Sequence, residues 1–181
     1  MPAAHFVQVA AGGRRYSAPM VTLPPMSTAE WTAWREQSIR DYAADKVRIG
    51  AWSADEAVER ATNDFARLLP DGQVTPGHEF RSITNETGAV VGALWFGRSD
   101  ELAASTAFIW DISVDIASRG RGYGRAALSA LEPIARELGY DSIRLHVFGD
   151  NEVARNLYRT AGYVETDVSM LRRLGAEGTP P

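Results

Sequence analysis

Cysteine is absent from all 181 residues, which excludes a disulfide framework, thiolate catalysis and a cysteine-based zinc site. Histidine is scarce: His5, His78 and His146 are scattered at spacings that no metal-ligand motif uses, so no metal is expected. No apolar run reaches the ~18 to 20 residues of a membrane span, and the N-terminus lacks a basic stretch followed by a long apolar core. No membrane partner is expected, and a cytoplasmic location is the default. Nor is there an excess of positive charge. With 19 Lys and Arg against 23 Asp and Glu the net charge is -4, which argues against nucleic acid as the main partner. No internal repeat or long low-complexity tract is evident. What is present is 45% apolar, enough at this length for one domain with a full core.

That domain is expected over residues 20–174, after an extension at 1–19 that is either an extra strand or a mobile arm, and before a disordered tail at 175–181. Met20 to Leu23 reads as a short first strand, and Pro24-Pro25 break the chain. Ser27 or Thr28 caps a helix with Glu30 early in it, continuing towards Val47 and ended by Gly50. Ser53 with Glu56 three residues later forms a capping-box signature for a second helix, closed by Pro70-Asp71-Gly72. Residues 73–79 are polar and irregular. Strands follow at about 79–85, 89–97 and 106–115, then helix, strand, helix and a last strand. The class is α/β (α+β) with a central mixed sheet. Pro133 falls inside the third helical run, where a proline costs ~3 kcal/mol and predicts a kink or a break near Leu131-Glu132.

Arg119-Gly120-Arg121-Gly122-Tyr123-Gly124 joins the strand-like run Phe108 to Val114 to the helical run beginning at Ala126. Three glycines at alternate positions let the backbone approach a ligand, and the following helix points its free N–H groups and dipole into the turn, as phosphate binding requires. A dinucleotide fingerprint needs glycine where Arg125 stands, and a P-loop needs a lysine that is missing here. A methyltransferase loop prefers an acidic residue where Ser118 and Arg119 stand. A second segment, about 30 residues on, alternates through Ile143, Leu145 and Val147. It then enters a helix capped by Asp150 or Asn151, with Ala154, Leu157, Tyr158 and Ala161 at helical spacing before Gly162.

The pattern Arg119-x-x-Gly122-x-Gly124, together with Asn151-x-x-Ala154-x-x-Leu157-Tyr158-x-x-x-Gly162-Tyr163, resembles the Gcn5-related N-acetyltransferase (GNAT) family. The likeness covers about residues 79–174, and 20–78 only by element order. It implies a mixed sheet of about six to seven strands flanked by about four helices, with acetyl-CoA as the acyl donor. N–H groups from Gly120 to Arg125 would meet the pyrophosphate, including those of Arg121, Gly122, Tyr123 and Gly124, with charge from Arg119, Arg121 or Arg125. The edge formed by Ile112, Ser113 and Val114 would pair with the pantetheine arm, and Asn151 would lie beside it.

Acetyl transfer needs a neutral amine, hence a carboxylate to take its proton. Asp111 is the first candidate, because it alternates away from Trp110 and Ile112 among apolar residues that raise a carboxyl pKa. A hydrogen-bonded structural aspartate is the alternative, and Glu79 and His78 are reserves. Tyr158 is the candidate general acid for the departing thiolate. Trp31, Trp34, Trp52, Trp95 and Trp110 are core residues or parts of an aromatic acceptor pocket. The acceptor is a small-molecule or peptide amine of unspecified identity, and a homodimer is left open. A non-catalytic acyl-CoA-binding module, a transferase of another acyl group, and a methyltransferase are the competing readings.

Overall fold

The computed structural model describes residues 19–170 and residue 172. The expected N-terminal arm, apart from Pro19, and the tail at 175–181 lie outside the described residues. β1 (Val21–Thr22) leads to α1 (Thr28–Arg48), whose start is a reciprocal capping box. Ser27 Oγ accepts from the Glu30 N–H at 3.3 Å, while Glu30 accepts from the Ser27 N–H at 2.7 Å. α2 (Ala54–Leu68) follows. The box expected at its start does not form: Ser53 has N-cap dihedrals but its side chain accepts no hydrogen bond. Glu56 pairs instead with Arg60 one turn on, at 3.1 Å.

β2 (His78–Asn85), β3 (Val90–Gly97) and β4 (Thr106–Val114) form an antiparallel meander. α3 (Tyr123–Glu137) then crosses over to β5 (Ser142–Leu145), which pairs parallel to β4, and α4 (Glu152–Thr160) follows. The sheet order is β1-β2-β3-β4-β5. The mixed sheet and four helices are as expected, with five strands rather than six to seven. One expected strand is shortened and, among the described residues, another is missing. The strand expected through Phe148 stops pairing at Leu145. No last strand forms among the described residues up to Met170, where Val164, Val168 and Met170 are exposed. α3 is not broken at Pro133. Its apolar face, Ala127, Leu128, Leu131 and Ala135, is buried on the sheet and outweighs the missing hydrogen bond.

Each sheet face has its own core. Ile83, Leu94, Phe96 and Ile109 pack against α3. Phe80, Ala93 and Trp95 pack against Trp34, Ile39 and Ala43 of α1 and Ala57, Ala61 and Phe65 of α2. The register of β3 on β4 jumps from Trp95↔Asp111 to Phe96↔Ile109, so Trp110 is an extra residue, a β-bulge. Alternation is interrupted there. Ile109 and Ile112 both belong to the α3 side, and Trp110 and Asp111 both to the α1 side.

Candidate active site

Beyond the Val114 end of β4 the chain turns through Arg119 to Gly122 into α3. Gly122 is the N-cap of α3 in the left-handed region, at φ 88°, and Gly120 has φ 73°. Among the described residues, no hydrogen-bond acceptor meets the backbone N–H groups from Gly120 to Arg125. They form a concavity of free donors at a helix start, the kind of geometry that suits an anion. A Cβ on Gly124 would lie 3.2 Å from Leu157 Cδ2, so glycine also lets α3 close on α4.

The arginines divide in a way the sequence did not resolve. Arg119 Nε donates to the Val114 carbonyl at 2.9 Å, which steadies the turn and leaves its terminal nitrogens available. Arg121 is exposed with no partner among the described residues. Arg125 instead pins α3 to the end of α4, donating to the Thr160 carbonyl at 2.6 Å and to its hydroxyl. Tyr123 is buried in the core, so only its backbone N–H is offered to the loop.

β4 and β5 stay paired only from Thr106↔Ser142 to Ile109↔Leu145. From Trp110 to Val114 the edge of β4 facing β5 has no strand partner among the described residues; apart from the Val114 carbonyl, which Arg119 occupies, the stretch from Ile112 to Val114 is open to an extended ligand. A cleft of about 2360 Å³ opens where the strands part. Its walls include Trp110, Asp111 and Ser113 of β4, His146 to Phe148 after β5, Tyr158 of α4, and Trp34, Ser38 and Asp41 of α1. Arg48 bridges from α1 to the loop before α4, pairing with Asp150 and covering the Phe148 ring at 5.2 Å.

Asp111 and Tyr158, 47 positions apart in sequence, meet in this cleft. Trp34 Nε1 donates to Asp111 Oδ2 at 2.8 Å. Burial holds the Asp111 carboxyl above the usual carboxylate range. The Trp34 bond works against this, the Asp41 charge adds to it, and a Ser38 hydrogen bond opposes it. The bulge corrects the expected alternation: Asp111 faces away from Ile112 but shares its face with Trp110. Burial pushes the Tyr158 phenol up to about 12, with the Asp111 charge adding to it. The phenol packs edge-on to Tyr163, centroids 5.8 Å apart.

The remaining candidates take other places. Asn151 is the N-cap of α4, its side-chain oxygen accepting from the Ala154 N–H at 3.1 Å. Glu79 is paired with Arg81 at 2.5 Å and does not line the cleft. His78 does line it, but its Nδ1 accepts from Trp95 Nε1 at 3.1 Å. That bond puts the neutral ring's proton on Nε2. Burial and then Arg98 hold its pKa below the ordinary value. Of the tryptophans, Trp34, Trp95 and Trp110 line the cleft, and Trp34 and Trp95 are also core. The sequence reading missed Trp34 as the partner of Asp111, and Ser38 and Asp41 beside it. Their i, i+4, i+7 spacing was visible, but not which face of the first helix meets the sheet.

Over residues 31–163 the chain matches the acetyltransferase (GNAT) family. It belongs to that family. The N-acetyltransferase YycN of Bacillus subtilis strain 168 is 37% identical over 154 residues, spanning 85% of this chain and 99% of YycN. Its crystal structure superposes with a TM-score of 0.81 at 36% identity, covering 87% of this chain and all of that one. The N-acetyltransferase YdgE of the same strain is 35% identical over 84% of this chain and 98% of its own length. A mycothiol acetyltransferase of Propionibacterium freudenreichii is 34% identical over 66% of this chain, but over only 36% of its own. The chain is thus a GNAT-type N-acetyltransferase. Among the described residues no cluster of three or more His, Cys, Asp or Glu could hold a metal ion, and no helix is long and apolar enough to cross a membrane.

Proposed function

We propose that this acetyltransferase moves the acetyl group of acetyl-CoA to the amine of a small-molecule or peptide acceptor by direct attack, with Asp111 as general base and Tyr158 as general acid. The supporting observation is the meeting of these two side chains where β4 and β5 part, on the edge that leads back to the anion-binding turn. The N–H groups from Gly120 to Arg125, with Arg119 and Arg121, hold the pyrophosphate. The edge from Ile112 to Val114 takes the pantetheine amides as a further strand would. Bound there, the donor supplies a thioester whose carbon–sulfur bond breaks as the carbon–nitrogen bond forms.

Asp111 accepts the proton that the nitrogen loses. Burial raises its proton affinity, which favours its taking that proton, and Trp34 fixes the carboxyl's orientation. Tyr158 acts on the departing sulfur. A phenol near 12 facing a thiol of ~8.5 would transfer its proton uphill by roughly 5 kcal/mol, so hydrogen-bond donation to the developing thiolate comes first. When Asp111 has taken the amine proton, its share in raising the phenol is gone while that of burial stays, and Tyr158 becomes a stronger acid than before. The two proton movements are therefore coupled in the right order. The test is thiol release from acetyl-CoA across a panel of amines, alongside calorimetric titration of acetyl-CoA. Binding without turnover of any amine would identify a non-catalytic acyl-CoA module, and failure to bind would refute the proposal.

A further inference from the structure

Resting on that reading of the cleft, we propose that Asp41 determines acceptor specificity, and that the acceptor is an amine carrying a second positive charge beyond its reacting nitrogen. α1 presents Trp34, Ser38 and Asp41 at a spacing that places them on one helix face, and all three line the cleft. The Trp34 bond to Asp111 fixes that face over the candidate base. Asp41 stands two turns further on, about 10 Å along the axis.

Of the charged groups on this side of the cleft, Lys46 lies over the Tyr42 and Trp52 rings, 5.1 and 5.7 Å from their centroids. Asp45 pairs with Arg48 at 3.1 Å, and Asp64 with Arg67 at 2.7 Å. Arg98, across the cleft, pairs with Asp100 at 2.6 Å. Asp41 is exposed, and its partner among the described residues is the neutral Gln37 amide at 2.8 Å. Among the described residues it is the carboxylate on this helical wall that meets no cation. An acceptor whose near nitrogen reaches Asp111 and whose far ammonium reaches Asp41 supplies that cation. The groups that face Asp111 are Trp34, Ser38 and Asp41 from α1 and the neutral Tyr158 phenol from α4, so the charge bearing on it is that of Asp41.

The experiment compares cadaverine with pentylamine, the same chain with one amine, in the wild type and in Asp41→Asn. Turnover is read as thiol release, and binding to the CoA-loaded protein by the fluorescence of Trp34, Trp95 and Trp110. The wild type is expected to favour the diamine roughly fivefold, the size of one solvent-screened ion pair. Asp41→Asn loses that preference, shifts the acid limb of kcat/KM to lower pH, and binds acetyl-CoA with unchanged Kd. The pH shift separates a role in the cleft from a merely structural one. A wild type that does not favour the diamine in binding or turnover, or a variant that keeps the preference, overturns the assignment of Asp41. Failure of acetyl-CoA itself to bind is a different result, and refutes the underlying reading instead.

Discussion

Tyr158→Phe isolates one hydroxyl. The ring stays, with its edge-on contact to Tyr163 at 5.8 Å and its place against the α3-side core. The phenol oxygen makes no hydrogen bond among the described residues, so the fold loses no partner and Tm should move little. With its pKa near 12, about two units above a free phenol, ionising Tyr158 costs roughly 2.7 kcal/mol more than in water. The hydroxyl is thus protonated across the working range, and its contribution is a hydrogen bond to the charged sulfur of the transition state. Such bonds contribute about 1.5–3 kcal/mol, which predicts a fall in kcat of about ten- to 150-fold. Thiol-release kinetics measure this, and titration of acetyl-CoA supplies the control. The Kd for acetyl-CoA should be nearly unchanged, because the interaction strengthens only as the carbon–sulfur bond breaks. Unchanged kcat, or a Kd that weakens as much as kcat falls, would refute the argument.

Asp111→Asn should abolish most turnover yet raise Tm at neutral pH. A carboxyl raised on folding contributes stability below its unfolded pKa of ~3.9 and loses it as pH rises through the folded value. Above its unfolded pKa the buried carboxyl is therefore a cost that asparagine removes while still accepting from Trp34, and the gain should vanish in acid, as thermal melts at neutral and acid pH will tell. Trp34→Phe removes the bond that holds the Asp111 pKa down, so the acid limb of kcat/KM should move to higher pH. Gly122→Ala puts a Cβ 3.2 Å from Pro19 Cδ and forces a side chain onto φ 88°. A cost of about 1–2 kcal/mol is expected from the left-handed backbone alone. Acetyl-CoA affinity measured calorimetrically should fall, with kcat at saturating donor less affected.

The anion-binding turn was legible because its parts are contiguous: glycines, arginines and a helix start lie within seven residues, and local backbone geometry follows from local sequence. Tyr158 was legible through its spacing from Asn151 and Gly162, although Asn151 itself takes the capping role that was always its alternative. Asp111 was found as a residue, but its surroundings were not. A bulge leaves no compositional mark, and its effect on strand alternation appears only against the partner strand. Arg125 is indistinguishable in sequence from Arg121, yet sits on α3 where the Thr160 carbonyl at the end of α4 captures it. The outer end of the fifth strand failed to pair for a similar reason. Alternation in Ser142 to Phe148 describes a chain able to pair, whereas pairing also needs a neighbour that has not turned away.

The extra residue at Trp110 has a further consequence for how this protein can change. Site and scaffold share β4, but they are in different phases of the same strand: residues before the bulge are tied to β5, and those after it are offset by one. A point substitution in β4 alters one contact. A deletion of one residue between Asp111 and Val114 would turn the exposed edge over relative to Asp111 while preserving almost every amino acid, whereas loss of Trp110 itself would leave Asp111 opposite Trp95. The catalytic arrangement is thus stored as a phase difference, and variation by insertion or deletion in this strand should be far less tolerated than variation by substitution.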